Sequence, residues 1–219
     1  MQQNYRIYQI IILILSILIT NYCMLWSFHY FNIKPYPNNE IYILGLSYLT
    51  VLIVTAFVAS SKNLKVIHSL AGFKKTSLKA ITISLFVAII LWLADYLYQN
   101  FILKNDLTIE ASQWFLLNYK NQTITFITTV IIAPIIEEIL LRGILLQSLC
   151  RYLNKPLAII VVSLLFTLLH DSYEQWPTLF IASTLYCWLT LRYKSILPAI
   201  AAHILNNALT FMLYRMLVL

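Results

Sequence analysis

Two adjacent carboxylates, Glu137 and Glu138, and an arginine, Arg142, interrupt an apolar run over about residues 123–150. A charge at the centre of a bilayer costs ~2.5–3.5 kcal/mol on insertion scales, so ionisable residues there are functional candidates by default. Their spacing separates their tasks. On a helix Glu138 and Arg142 are i and i+4, share a face and can form an ion pair. Glu137 is turned ~100° from its neighbour, which leaves it as the carboxylate expected to face a cavity. Pro134, one turn upstream, removes a backbone hydrogen bond and favours a kink. A purely structural Glu–Glu–Arg cluster accounts for these three residues equally well.

Further polar residues weigh against that plain reading. His170 ends the next apolar run, with Phe166 one turn before it, and His203 lies in the last run, with Asn207 one turn later and Asn206 also within reach. A lone membrane histidine is more often a helix–helix hydrogen bond than a catalyst. A carboxylate pair, two histidines and an asparagine on three helices are harder to dismiss. The other ionisable residues have plainer explanations. Asp95 and Arg215 lie near the ends of apolar runs, where side chains reach the interface by snorkelling. His29 lies near an outer span end and His68 in a basic loop. Cys23, Cys150 and Cys187 share no metal-type spacing and read as small buried hydrophobes.

The elements that must hold these residues are helices. The chain is 61% hydrophobic and 11% charged over 219 residues, against roughly half and a quarter for soluble domains. Three glycines and six prolines leave little material for turns. Apolar residues come in runs rather than in the alternation of a β-barrel. The expected class is an all-α membrane protein, a bundle of about seven transmembrane helices over 7–31, 41–60, 79–99, 123–150, 156–172, 177–191 and 196–216, each near the ~20 residues a span needs. One transmembrane domain over 1–219 is expected, with its catalytic core helices at 123–210. The first run is too long for a signal peptide and no small-residue cleavage site follows it.

Charge tests this division independently. With a cytoplasmic N-terminus, the inside loops hold Arg6, Lys62, Lys65, Lys74, Lys75, Lys79, Arg151, Lys155, Arg192 and Lys194 and no acid. The outside loops hold Lys34, Lys104 and Lys120 against Glu40, Asp106, Glu110, Asp171 and Glu174. That asymmetry satisfies the positive-inside rule, with the C-terminus outside. The net charge of +7 then belongs to a face turned towards anionic lipid, and nucleic acid is not needed to explain it. Residues 61–79 are expected as a basic surface helix ended by Gly72, and 107–117 as an outer interfacial stretch.

The polar residues also resemble a known family. Glu137-Glu138-Ile139-Leu140-Leu141-Arg142 is similar to the E-E-x-x-x-R motif of the CPBP (Abi) family, which includes the type II CAAX prenyl endopeptidases and bacteriocin-related proteins. Phe166-Thr167-Leu168-Leu169-His170 is similar to its F-x-x-x-H motif, and His203-Ile204-Leu205-Asn206-Asn207 to its H-x-x-x-N motif. Gly143 after the arginine also fits, whereas Leu141 stands where an aromatic is frequent. The resemblance covers about residues 123–210. It implies an intramembrane endopeptidase in which Glu137 and His170 bind and activate water, His203 and Asn207 stabilise the oxyanion, and Glu138 and Arg142 support them.

Two rival readings stay open at this level. One is a zinc site with Glu137, His170 and His203 as ligands, residue types that suit the metal. The chain has no H-E-x-x-H helix, and an asparagine beside His203 suits an oxyanion better, so the cofactor-free version is favoured. The other is a non-catalytic immunity or scaffold protein that binds a peptide in the same place. Straight-helix arithmetic at ~1.5 Å per residue puts Glu137 and His170 up to two turns deeper than His203, unless tilt, the Pro134 kink or an early start of the fifth helix corrects it. The expected partners are the lipid bilayer and a membrane-associated, possibly lipidated peptide. The expected location is a bacterial cytoplasmic membrane, crossed several times.

Overall fold

In the computed structural model, residues 72–104, 106, 122–170 and 173–218 are described, and among them every regular element is helical. The apolar runs at 7–31 and 41–60, the stretch 107–117 and most of the basic segment 61–79 lie outside these residues. Helix α1 is Leu78–Leu97, started by the Ser77 side chain, which accepts from the Ala80 N–H. It continues as a wider π turn over Tyr98–Leu103. A central rod over 122–149 follows, built of α2 (Gln122–Phe126), a π segment Ile127–Ile132, α3 (Ala133–Glu138), a second π segment Ile139–Leu146 and α4 (Gln147–Leu149). Helices α5 (Lys155–Leu168), α6 (Trp176–Tyr193) and α7 (Leu197–Val218) complete the bundle.

Local sequence explains the boundaries. Asn154 caps α5 by accepting from the Leu157 N–H at 3.0 Å, with Pro156 in the first turn, where its missing N–H is harmless. Pro177 does the same for α6. That helix stops at Lys194, which is left-handed at φ 54°. Gly72, with φ 65°, supplies the left-handed turn before α1, a conformation that costs glycine nothing. Its carbonyl accepts from the Ile196 N–H at 3.1 Å, and the Ser195 hydroxyl donates to the Lys74 carbonyl at 2.7 Å. The start of α1 and the start of α7 therefore share one end of the molecule.

Two apolar cores hold the helices. The π segment Ile139–Leu146 packs Leu140, Leu141, Ile144 and Leu145 against Val162, Leu165 and Phe166 of α5. Ala88 and Leu91 of α1 meet Tyr186 and Leu189 of α6 and Ala199 and Ala202 of α7. Small residues at the second seam let helices approach closely, as between membrane helices. The outward faces are apolar too: Phe86 and Ile90 on α1, Phe101 and Ile102 on its π extension, Ile160 and Leu164 on α5, and Met212 and Met216 on α7 are all exposed. Apolar surface of that extent suits lipid and not water. Leu78–Leu103 and Leu197–Leu217 are long and apolar enough to cross a membrane, at roughly 39 and 32 Å if α-helical throughout. The protein is an integral membrane protein.

Candidate active site

The buried centre of the bundle is the ion pair between Arg142 and Glu138. Arg142 Nη1 donates to Glu138 Oε1 at 3.0 Å, and both side chains have 0% exposure. The i, i+4 spacing places them one turn apart, and α6 completes the cage. Arg142 Nη2 donates to the Ser183 hydroxyl at 2.7 Å and to the Ser183 carbonyl at 3.3 Å. Its guanidinium lies 4.8 Å from the centre of the Phe166 ring and 5.5 Å from that of Tyr186. Desolvating two charges costs several kcal/mol each, and only such bonds and ring faces offset it.

His203 joins this centre from α7. Its Nδ1 lies 3.0 Å from Glu138 Oε1, and its Nε2 lies 3.9 Å from Glu137 Oε2. The ring stacks on Tyr186 at 5.2 Å between centroids and meets the edge of Phe166 at 5.9 Å. Glu138 thus serves two cations or donors at one oxygen, holding Arg142 on its own helix and His203 across the bundle. Glu137 keeps some exposure, 16% of its side chain against 0% for Glu138. The depth mismatch counted on straight helices does not occur for His203, which reaches both carboxylates. Straight-helix counting omits the π segments on either side of α3, whose i→i+5 bonds change the register.

His170 stands just past the end of α5. Its Nδ1 lies 2.7 Å from the Phe166 carbonyl and its ring 4.6 Å from the Phe166 ring. A carbonyl only accepts, so Nδ1 carries the proton and the neutral ring keeps its lone pair on Nε2. The Trp176 indole N–H donates to the His170 carbonyl at 3.1 Å, which steadies the turn into α6. Phe166 touches both histidines and Arg142, so it is the apolar hinge of the site.

Asn207 lies one turn beyond His203 on α7, and its Nδ2 donates to the Thr129 carbonyl at 3.0 Å. His170, Asn206, Asn207 and Thr129 line a cavity of about 410 Å³ together with Asp95 and Gln99 of α1 and Thr178 of α6. Glu137 and His203 are not on that wall. The site is therefore a contact cluster (Glu137, Glu138, Arg142, His203) beside a polar cavity that His170 and Asn207 line, with Phe166 against both histidines.

Several members escaped the sequence reading. Ser183 and Tyr186, three apart on α6, carry Arg142 and His203; polar residues in an apolar helix at i, i+3 were the available signal. Asp95 does not extend alone to a span end: it lines the cavity, with Oδ1 accepting from the Thr178 hydroxyl at 2.6 Å and Oδ2 from Gln99 Nε2 at 2.7 Å. Cys187 packs with 0% exposure in the apolar core, and Cys150 is a half-buried free thiol. As for a metal, among the described residues no three His, Cys, Asp or Glu side chains converge as a ligand set. His170 and His203 each direct Nδ1 to a protein oxygen.

An all-helical membrane protein with a buried carboxylate–arginine–histidine centre is the class that fold and site define. Residues 119–209, from the rod through Asn207, match the family profile described as Type II CAAX prenyl endopeptidase Rce1-like. Over this segment the chain is similar to that family, a family of proteases. No curated protein and no solved structure matches the chain.

Proposed function

We propose that the protein is an intramembrane endopeptidase that hydrolyses a peptide bond of a membrane-associated substrate without a metal. The observation that carries this reading is the placement of the His203 ring between two carboxylates, Glu138 at 3.0 Å and Glu137 at 3.9 Å, within a segment similar to a protease family. Glu138 is committed to Arg142 and His203, which leaves Glu137 as the base. In the proposed reaction Glu137 takes a proton from water held by the Nε2 lone pair of His170. The water oxygen attacks the carbonyl carbon, and the oxyanion accepts from His203 Nε2–H and the second amide hydrogen of Asn207. His203 then carries protons on both nitrogens, with its positive charge flanked by Glu137 and Glu138. Glu137 returns its proton to the leaving nitrogen as the C–N bond breaks, giving an acid and an amine.

A family profile named for CAAX prenyl endopeptidases makes a lipidated peptide the first substrate to try, with other membrane-borne peptides beside it. The charge pattern supports a seven-span chain with its N-terminus in the cytoplasm, in a bacterial cytoplasmic membrane. In keeping with it, the hydrogen bonds from Ile196 and Ser195 to the Gly72 and Lys74 carbonyls join two segments of the basic set. The test is to incubate the purified full chain with such peptides and map the cuts by mass spectrometry. Cleavage that persists in a strong chelator, with no metal in the active protein, is the expected result. Cleavage abolished by chelation and restored by zinc would overturn the metal-free mechanism, and no cleavage of any peptide would overturn the function.

A further inference from the structure

One wall of the cavity carries a carboxylate held by two neighbouring side chains. Asp95 and Gln99 are i and i+4 on α1 and its π extension, and Thr178 faces them from α6. The Thr178 hydroxyl and Gln99 Nε2 donate to the two oxygens of Asp95. Because Gln99 gives its amide nitrogen to a carboxylate, its amide orientation is fixed: turned over, Oε1 would meet Asp95 oxygen to oxygen. Gln99 is 5% exposed, and its Oε1 has no hydrogen-bond partner among the described residues. Buried acceptors are normally satisfied, and one that is not calls for an explanation.

The charge of this wall is also uncompensated locally. Asp95 receives two neutral donors, and among the described residues lining the cavity there is no lysine or arginine. An unpaired acceptor beside a carboxylate suits a group with several N–H donors and a positive charge. Gln99 stands in a π turn, Tyr98–Leu103, and such turns recur at functional sites. His170 and Asn207 line the same cavity, so a ligand on this wall is next to the proposed hydrolytic groups.

The geometry points to Asp95, Gln99 and Thr178 as a subsite for a lysine or arginine side chain of the peptide substrate. This assignment rests on the endopeptidase reading for its occupant, but its binding chemistry can be measured without turnover. Asp95 supplies charge, and Thr178 and Gln99 hold the carboxylate in place.

The experiment uses the full chain in lipid nanodiscs and a labelled farnesyl-cysteine peptide whose single lysine is moved through each position, with norleucine as its neutral match. Binding by fluorescence polarisation and cleavage by mass spectrometry are read in parallel for the wild type and for Asp95→Asn, which keeps shape and the hydrogen bond from Gln99 but removes the charge. At one lysine position the wild type should bind at least about tenfold tighter than to the norleucine peptide, with the gain in KM rather than kcat. Asp95→Asn should lose that preference while its melting temperature stays put. Gln99→Glu, which adds a second negative charge, should enlarge it. Equal binding of lysine and norleucine peptides at every position, a preference that survives Asp95→Asn, or no binding at all would each overturn the subsite. A lysine preference that Asp95→Asn abolishes, with no peptide cut, would uphold the subsite and remove the protease reading instead.

Discussion

The amide of Asn207 occupies the place that Pro134 leaves open at the Thr129 carbonyl. In the π segment, the Ala133 N–H goes to the Thr128 carbonyl, so the next N–H in register would serve Thr129. That residue is Pro134, which has none. Asn207 Nδ2 answers from α7 at 3.0 Å. A proline in the rod thus fixes the direction of a side chain that the proposed mechanism uses.

This relationship predicts an energetic coupling. Asn207→Ala should cost about 1 kcal/mol by stranding the Thr129 carbonyl. In a Pro134→Ala background, where a backbone N–H is restored, the cost should shrink. A double-mutant cycle on unfolding in detergent measures it, and additive effects would refute the link.

Glu137→Gln keeps the shape of the base and removes its proton acceptance. Peptide cleavage should fall by ~10²–10⁴-fold with no loss of thermal stability. A variant that cleaves at the wild-type rate would show that Glu137 is not the base.

Arg142→Met should destabilise by ~3–5 kcal/mol, since it leaves the Glu138 carboxylate buried without its cation. The double variant Glu138→Gln/Arg142→Met should recover part of that loss while staying inactive, because His203 loses its charged anchor. Thermal unfolding and cleavage assays read the two effects separately.

Tyr186 acts through its ring. Its hydroxyl is buried with no hydrogen-bond partner among the described residues, so Tyr186→Phe should leave stability and activity nearly unchanged. Tyr186→Ala removes the stacking surface of His203 and one ring face of Arg142. It should cost ~3–5 kcal/mol and lower kcat more than it raises KM.

The sequence exposed those parts of the site that lie within one helix. The Glu138–Arg142 pair is four residues apart, and Phe166–His170 and His203–Asn207 repeat that spacing. The Arg142–Ser183 bond spans 41 residues and the Asp95–Thr178 bond 83, and no local pattern announces either. Asp95 reads as a snorkelling residue because its distance from a span end is visible in a sequence, whereas a threonine on another helix is not. The boundaries of α1 and α5–α7 were legible for the opposite reason: apolar runs, Asn154 and the early prolines act locally. The π segments were invisible because apolar residues fill them as readily as α turns. They are also why depth counted along straight helices misplaced His203 relative to the carboxylates.

The strap between Gly72 and Ile196 restricts how the bundle can part. A Cβ at Gly72 would come within 3.3 Å of the Ile196 side chain, in a left-handed conformation that side chains resist. Two hydrogen bonds there clamp the beginnings of α1 and α7, which pack closely along their lengths. A guest arriving sideways from the bilayer cannot wedge these two helices apart at the clamped end without breaking both bonds, so any lateral doorway in this seam must open from its far end.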